Sequence, residues 1–230
     1  MELILSMDTE RIRLIKLLLS EAVSNFYLHE SHFIADCLRE EACTARIAIH
    51  CDRLIQQAKN CLAAHPSNNS EEIQVRGNLE VFQEFDRVYQ IDGTRIMKCT
   101  NSPSGNLIQS RPDLLLVTVK EAFELDDNVL VVEVKKIGTK KTLKLKKDKE
   151  KLTAFVMPQA AFDYQYRLGA HLFLGEQNWG IVWYQNCNNS LKLSLNVYSC
   201  EHLNGENEIT LENSDYNIST IKNYFHDFVF

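Results

Sequence analysis

Glycine and proline are scarce in this chain of 230 residues, at eight and four, which excludes collagenous and low-complexity architectures. Long apolar runs are missing too. None approaches the roughly 18 residues needed to cross a bilayer, and those at Leu114 to Val117 and Val129 to Val132 are strand-sized. The N-terminal MELILSMDTERIRLIKLLLSE sets charges among its leucines and lacks a small-residue cleavage site, so it reads as a helix and not as a signal peptide. No membrane partner is expected. The seven cysteines (37, 43, 51, 61, 99, 187 and 200) include no C-x-x-C pair and no zinc-finger spacing with histidine. Reduced thiols are therefore expected, in a soluble protein of the cytoplasm or nucleus. A glycine-rich phosphate loop is also lacking, with Gly138 isolated, so ATP dependence is not expected.

What is present is an ordinary globular composition, 45% hydrophobic and 24% charged, enough to bury a core. The net charge is -6, but it is unevenly spread. Residues 135–151 hold nine lysines against Asp148 and Glu150, a local charge of +7 that leaves -13 for the rest. A localised basic stripe bears on phosphate binding more than the total does. Its plain reading is a solvated helix face, since Lys144/Asp148 and Lys146/Glu150 are spaced i, i+4.

Residues 1–65 read as helical, with Ile12, Ile15, Leu19, Val23 and Phe26 at steps of three and four, and His65 to Ser70 closing them as a loop. An α/β core follows over 79–200. Leu79 to Tyr89 is β-rich, and Leu107 to Val119 reads as a strand. Val129 to Val134 is the strongest strand signal. A Lys-rich helix over 140–157 comes next, then strands at 170–174, 179–184 and 191–198, with a C-terminal helix over 215–230. The order predicts a single domain over 1–230 of the α/β class: a central mixed sheet flanked by helices, with a helical N-terminal extension. Trp179, Trp183 and Tyr184 are expected in the core and not as base-stacking platforms.

Chemistry concentrates in Arg111-Pro112-Asp113 and in Glu133-Val134-Lys135, with nineteen residues between Asp113 and Glu133. Glu133 and Lys135 are two apart on one strand, so both point to one face. An acid and a base ending an apolar strand must be paired, metal-bound or exposed, because burying either alone is costly. If the two strands pair as a hairpin, Asp113 and Glu133 converge. Two carboxylates holding a hard divalent cation, beside a lysine, suit phosphodiester hydrolysis.

The P-D, nineteen residues, E-V-K arrangement resembles the PD-(D/E)xK nuclease superfamily, over roughly residues 80–185. That resemblance implies a restriction-endonuclease-like core and a nuclease dependent on Mg²⁺ or Mn²⁺, with DNA expected over RNA on family prevalence. It implies that Asp113 and Glu133 bind metal and Lys135 is the catalytic lysine, while the Val134 carbonyl completes the site. Such proteins commonly add an acid from an early helix. Glu30, in Glu30-x-x-Phe33-x-x-x-x-Leu38, is the first choice, with Glu40, Glu41 and Glu84 as rivals. Beside such a centre, Lys136, Lys140, Lys141, Lys144, Lys147 and Lys151 are expected to form a ridge that tracks the nucleic-acid backbone. His29 and His32 are too close for H-E-x-x-H, so a metalloprotease is not expected, and His29 is assigned to a surface or cap position. Gln159 and Tyr164 carry one residue too many for a Q-x-x-x-Y motif, leaving Gln159, Gln165 and Tyr166 as candidate substrate contacts. The competing reading is a non-catalytic nucleic-acid-binding or protein-interaction module on the same fold. Analogy with nucleases of this size allows a homodimer.

Overall fold

The computed structural model describes residues 2–35, 39–67, 70–83, 88–91, 94–97, 99–101, 107–109, 112–118, 128–137, 142–157, 166–176, 178–199 and 208–211. The helices are α1 (Glu2–Glu30), α2 (His32–Ala35), α3 (Glu40–Ala64), α4 (Glu71–Gly77) and α5 (Thr142–Val156). The strands are β1 (Leu79–Gln83), β2 (Val88–Ile91), β3 (Thr94–Met97), β4 (Cys99–Asn101), β5 (Leu107–Gln109) and β6 (Leu114–Thr118), followed by β7 (Asn128–Lys136), β8 (Leu168–Leu174), β9 (Asn178–Cys187), β10 (Ser190–Ser199) and β11 (Glu208–Leu211). The expected C-terminal helix over 215–230 lies outside the described residues.

Seven strands form one sheet in the order β1-β6-β7-β8-β9-β10-β11, and β2-β3 and β4-β5 are separate two-stranded ribbons. Only the β7–β8 pairing in the large sheet is parallel, which makes it mixed, as expected. A parallel pair needs a crossover, and α5 supplies it. The turn between β9 and β10 uses Asn188 and Asn189, both left-handed at φ 53 and 63. Asparagine tolerates that region, and two such residues suit a two-residue hairpin.

Alternation along the strands divides the core in two. Leu114, Leu116, Leu130, Val132, Val134, Ala170, Leu172, Trp179, Ile181 and Trp183 join Ile15, Leu19, Val23 and Phe26 of α1 and Ile47 and Ile55 of α3. The intervening residues Leu115, Val131, Phe173, Val182 and Tyr184 pack with Leu152, Phe155 and Val156 of α5. α1 and α3 are thus not an extension. They are one of the layers, because a stripe at three- and four-residue spacing must be buried somewhere, and the apolar face of β6–β9 is the surface it covers. Gly169 lets α5 lie close to the sheet. A Cβ there would come 3.0 Å from Val156 and 3.1 Å from Tyr184.

Polar ties fix α1 to the far side of the sheet. The Tyr27 hydroxyl donates to the Gly175 carbonyl at 2.7 Å, and Ser20 Oγ lies 2.9 Å from the Tyr198 hydroxyl. Trp179 stacks on Tyr198 with ring centroids 3.8 Å apart, and on Tyr27 at 6.1 Å. Trp179, Trp183 and Tyr184 are all fully buried, as core residues and not exposed platforms. Replacing Trp179 by Ala is expected to cost about 3–5 kcal/mol, through the cavity and the lost ring contacts. Urea unfolding would check this, read as a fall in midpoint at unchanged slope.

Candidate functional site

β6 and β7 pair antiparallel with Leu114 opposite Val132, which brings Asp113, one residue ahead of β6, to Glu133. The two carboxylates converge as the hairpin expectation required. Asp113 is fixed there by its Oδ2, which accepts a hydrogen bond of 2.7 Å from the Val134 amide. Pro112, buried immediately before it, has no amide to satisfy and suits the extended entry to the strand.

Glu133 and Lys135 share the sheet face that α5 covers. His171 on β8 is directly beside Glu133 in register. From α5, Asp148 and Lys151 reach down one turn apart on the helix. Lys151 Nζ lies 3.2 Å from both Glu133 oxygens and 3.2 Å from Asp148 Oδ1. Lys135 Nζ lies 3.1 Å from Asp148 Oδ2, 2.9 Å from Glu40 Oε1 and 3.1 Å from the Val134 carbonyl. Glu40, in the first turn of α3, also accepts from the Lys136 amide through Oε2 at 3.2 Å. An acid suits the positive end of that helix. Asp113, Glu133, Lys135, Glu40, Asp148 and Lys151 therefore form one cluster drawn from two strands and two helices.

Three expectations are corrected in placement. Glu30 does not join the cluster. Its carboxylate is held by the Arg46 guanidinium, with Nη2 at 2.8 Å, and His50 Nε2 lies 3.2 Å away. Arg46 holds Glu30 below the usual carboxylate range. The early-helix acid that meets Lys135 is the rival Glu40, and Glu41 is exposed on the same turn. Second, Lys136 and Lys151 are not on an exposed ridge: Lys136 Nζ donates to the Ile34 carbonyl, and Lys151 faces Glu133. Third, Asp148 does not sit on a solvated helix face. It is 5% exposed and serves the two buried-side lysines.

Of the other ridge lysines, Lys147 is exposed, as is its neighbour Lys146. Lys140 and Lys141 lie outside the described residues, and for Lys144 only the α5 backbone is described. Glu84, Gln159, Tyr164 and Gln165 also fall outside. Tyr166 is buried edge-on against Phe155 at 5.5 Å, a core position and not a substrate contact. His29 is exposed, 6.5 Å from the His50 ring.

Asp148 had no motif to announce it. Its signal was weak but present: an acid inside a lysine run, three residues before Lys151, on the side of α5 that carries Leu145, Leu152 and Phe155.

Four carboxylates share two ammonium groups, and burial makes the imbalance costly. Burial pushes Asp113 up to about 6, with the Glu40 carboxylate adding to the rise and the Val134 amide opposing it. Glu133, 2% exposed, is raised well above its ordinary value by burial first and then by the Asp113 charge. Asp148 and Glu40 outweigh burial at Lys135 and raise it, and Glu133 and Asp148 do the same for Lys151. Burial pushes His171 down to about 3, keeping it neutral.

Among the described residues, no three His, Cys, Asp or Glu side chains are grouped to hold a metal ion. The donors that could take one are two carboxylates and the Val134 carbonyl, all hard oxygens. That set fits Mg²⁺, which binds through one or two carboxylates and keeps several waters. Among the described residues, no helix is long and apolar enough to cross a membrane. Comparison with protein-family models, curated proteins and solved structures gives no match.

The raised Asp113 has a consequence for stability. Its folded value exceeds the ordinary 3.8, so the neutral acid is favoured in the fold. The associated stability is full below pH 3.8 and is lost as pH rises through about 6. Asp113→Asn keeps the Val134 bond without the charge. In EDTA it is expected to exceed wild type by about 1–3 kcal/mol at pH 7.5, with the gap closing near pH 4. Thermal melts at the two pH values check this; a gap independent of pH refutes it.

Proposed function

We propose that the protein is a divalent-metal-dependent nuclease of the PD-(D/E)xK kind on a restriction-endonuclease-like core, with DNA as substrate before RNA. One observation carries the reading: the Asp113 bond to the Val134 amide sets its carboxylate beside Glu133, on the strand that also presents Lys135. The resemblance drawn from sequence joined those three residues, and their convergence supports it. The unmet negative charge of the cluster supports it further, since buried carboxylates raised in this way are what a hard cation would relieve.

Asp113 and Glu133 would hold Mg²⁺ or Mn²⁺, with the Val134 carbonyl as a third oxygen. The ion would polarise the scissile phosphate and acidify a bound water. The chain's own contribution is positional. Lys135, steadied by Glu40 and Asp148, keeps its proton and presents an ammonium to the attacking water or to charge growing on the phosphate oxygens. Glu40, and not Glu30, is the early-helix acid beside the site, and it acts by positioning Lys135 and not as a metal ligand. Exposed Lys146 and Lys147 offer the phosphate backbone charge to track.

A closed, purely structural network is the second reading, favoured by the two ammonium groups that already pair with the carboxylates. It would make the protein a non-catalytic binding module. Cleavage of single- and double-stranded DNA and of RNA, with Mg²⁺, Mn²⁺ or EDTA, separates the two. Metal-dependent cutting is expected to fall by about 10²-fold or more in Asp113→Ala and Lys135→Ala. It is expected to fall in Glu40→Gln and to hold in Glu30→Gln. An inert wild type that still binds nucleic acid in a salt-sensitive way assigns the protein to the binding class.

A further inference from the structure

Lys151 is the residue whose placement the proposed chemistry leaves over. Its ammonium is equidistant from the two Glu133 oxygens, at 3.2 Å from each. A monodentate ion pair would favour one oxygen. This symmetric approach spreads the lysine's charge over both oxygens of the carboxylate. Glu133 needs one, because it sits at 2% exposure on an apolar strand with Asp113 beside it. Lys135, on the same strand, acts on Glu133 from further away and more weakly than Lys151: its direct partners are Glu40, Asp148 and the Val134 carbonyl. Asp148 gives one oxygen to each lysine, Oδ1 to Lys151 and Oδ2 to Lys135. It is nearly buried, on the α5 turn that carries Lys151. A lysine that let go of Glu133 would still have a carboxylate within reach.

We propose that Lys151 is the protein's own counter-ion for Glu133, occupying that carboxylate until a divalent cation displaces it, and that Asp148 then retains the ammonium. The inference rests on the reading of the site as metal-dependent. It assigns to Lys151 a role other than holding nucleic acid, and to Asp148 the positioning of both lysines. Cation binding becomes an exchange: the bond from Lys151 to Glu133 breaks as the cation's bond forms, so the lysine sets how tightly the site takes its ion. Without a metal, that pairing spares the fold an uncompensated Glu133 charge.

The test needs no nucleic acid. Mn²⁺ binding is measured by titration calorimetry on the full chain, and melting is followed in EDTA and in Mn²⁺. Lys151→Met keeps the stem and removes the competitor. It is expected to melt below wild type in EDTA, to gain more from Mn²⁺ than wild type does, and to bind Mn²⁺ about tenfold more tightly. Asp148→Asn, which removes the carboxylate that retains the displaced ammonium, is expected to weaken Mn²⁺ binding. If wild type binds Mn²⁺ and Lys151→Met binds it no more tightly, the counter-ion role is overturned while the metal-dependent reading stands. If wild type binds no Mn²⁺, the metal-dependent reading falls and takes this inference with it. Should Lys151→Met fail to fold in either condition, the double variant Glu133→Gln with Lys151→Met decides. Removing both charges is expected to restore folding in EDTA, and a double variant as unstable as the single one shows that Lys151 acts by packing.

Discussion

A carboxylate buried at the end of an apolar strand needs a counter-charge, and much of the structure around β7 answers that need. Glu133 sits among Val131, Val134 and the α5 core at 2% exposure. Desolvating one carboxylate costs several kcal/mol even after relaxation. The hairpin makes the cost larger by bringing Asp113 alongside. Lys151 supplies the counter-charge directly, 3.2 Å from both Glu133 oxygens, while Lys135 stands beside Glu40 and Asp148; α5 and α3 deliver the groups that orient the two lysines. A helix crossing from β7 to the parallel β8 has to pass over this face, so the crossover needed by topology also carries Asp148 and Lys151 to the site.

The two helical layers play different parts. α1 and α3 bury one face of the sheet through aliphatic and aromatic contacts, with Trp179 and Tyr198 as the stacked centre. α3 then contributes a single charged residue, Glu40, from the turn where its exposed amides favour an acid. α5 is thinner in its core contribution and richer in charge. Its outward lysines are solvated, and its inward Asp148 and Lys151 complete the ion network. One basic segment thus splits into a surface part and a buried part that do different work.

Glu30 and Glu40 differ in what the fold sets against them. Both stand near the start of an apolar helical pattern, and the E-x-x-F spacing favoured Glu30. In the fold Glu30 ends α1, where Arg46 and His50 of α3 meet it across the helix pair. Ten residues later Glu40 opens α3 against the end of β7. The packing of α3 against the sheet decides which acid faces the strand, and no local pattern encodes that geometry.

The α/β class, the mixed sheet's main strands, the Lys-rich helix and the convergence of Asp113 with Glu133 were all legible in the chain. Each depends on short-range regularities: alternation at period two, apolar spacing of three and four, and an acid placed just before or within a core strand. β6 and β7 are consecutive in the large sheet, so their hairpin pairing follows from local order. The membership of Glu40, Asp148 and Lys151 was decided by tertiary structure. Those residues lie 93, 15 and 18 positions from Glu133 in the sequence, on helices that meet the strand only through the packing of the whole fold. Their side chains turn inward because a buried charge is there to be balanced, and that demand arises from packing and not from any segment of sequence alone.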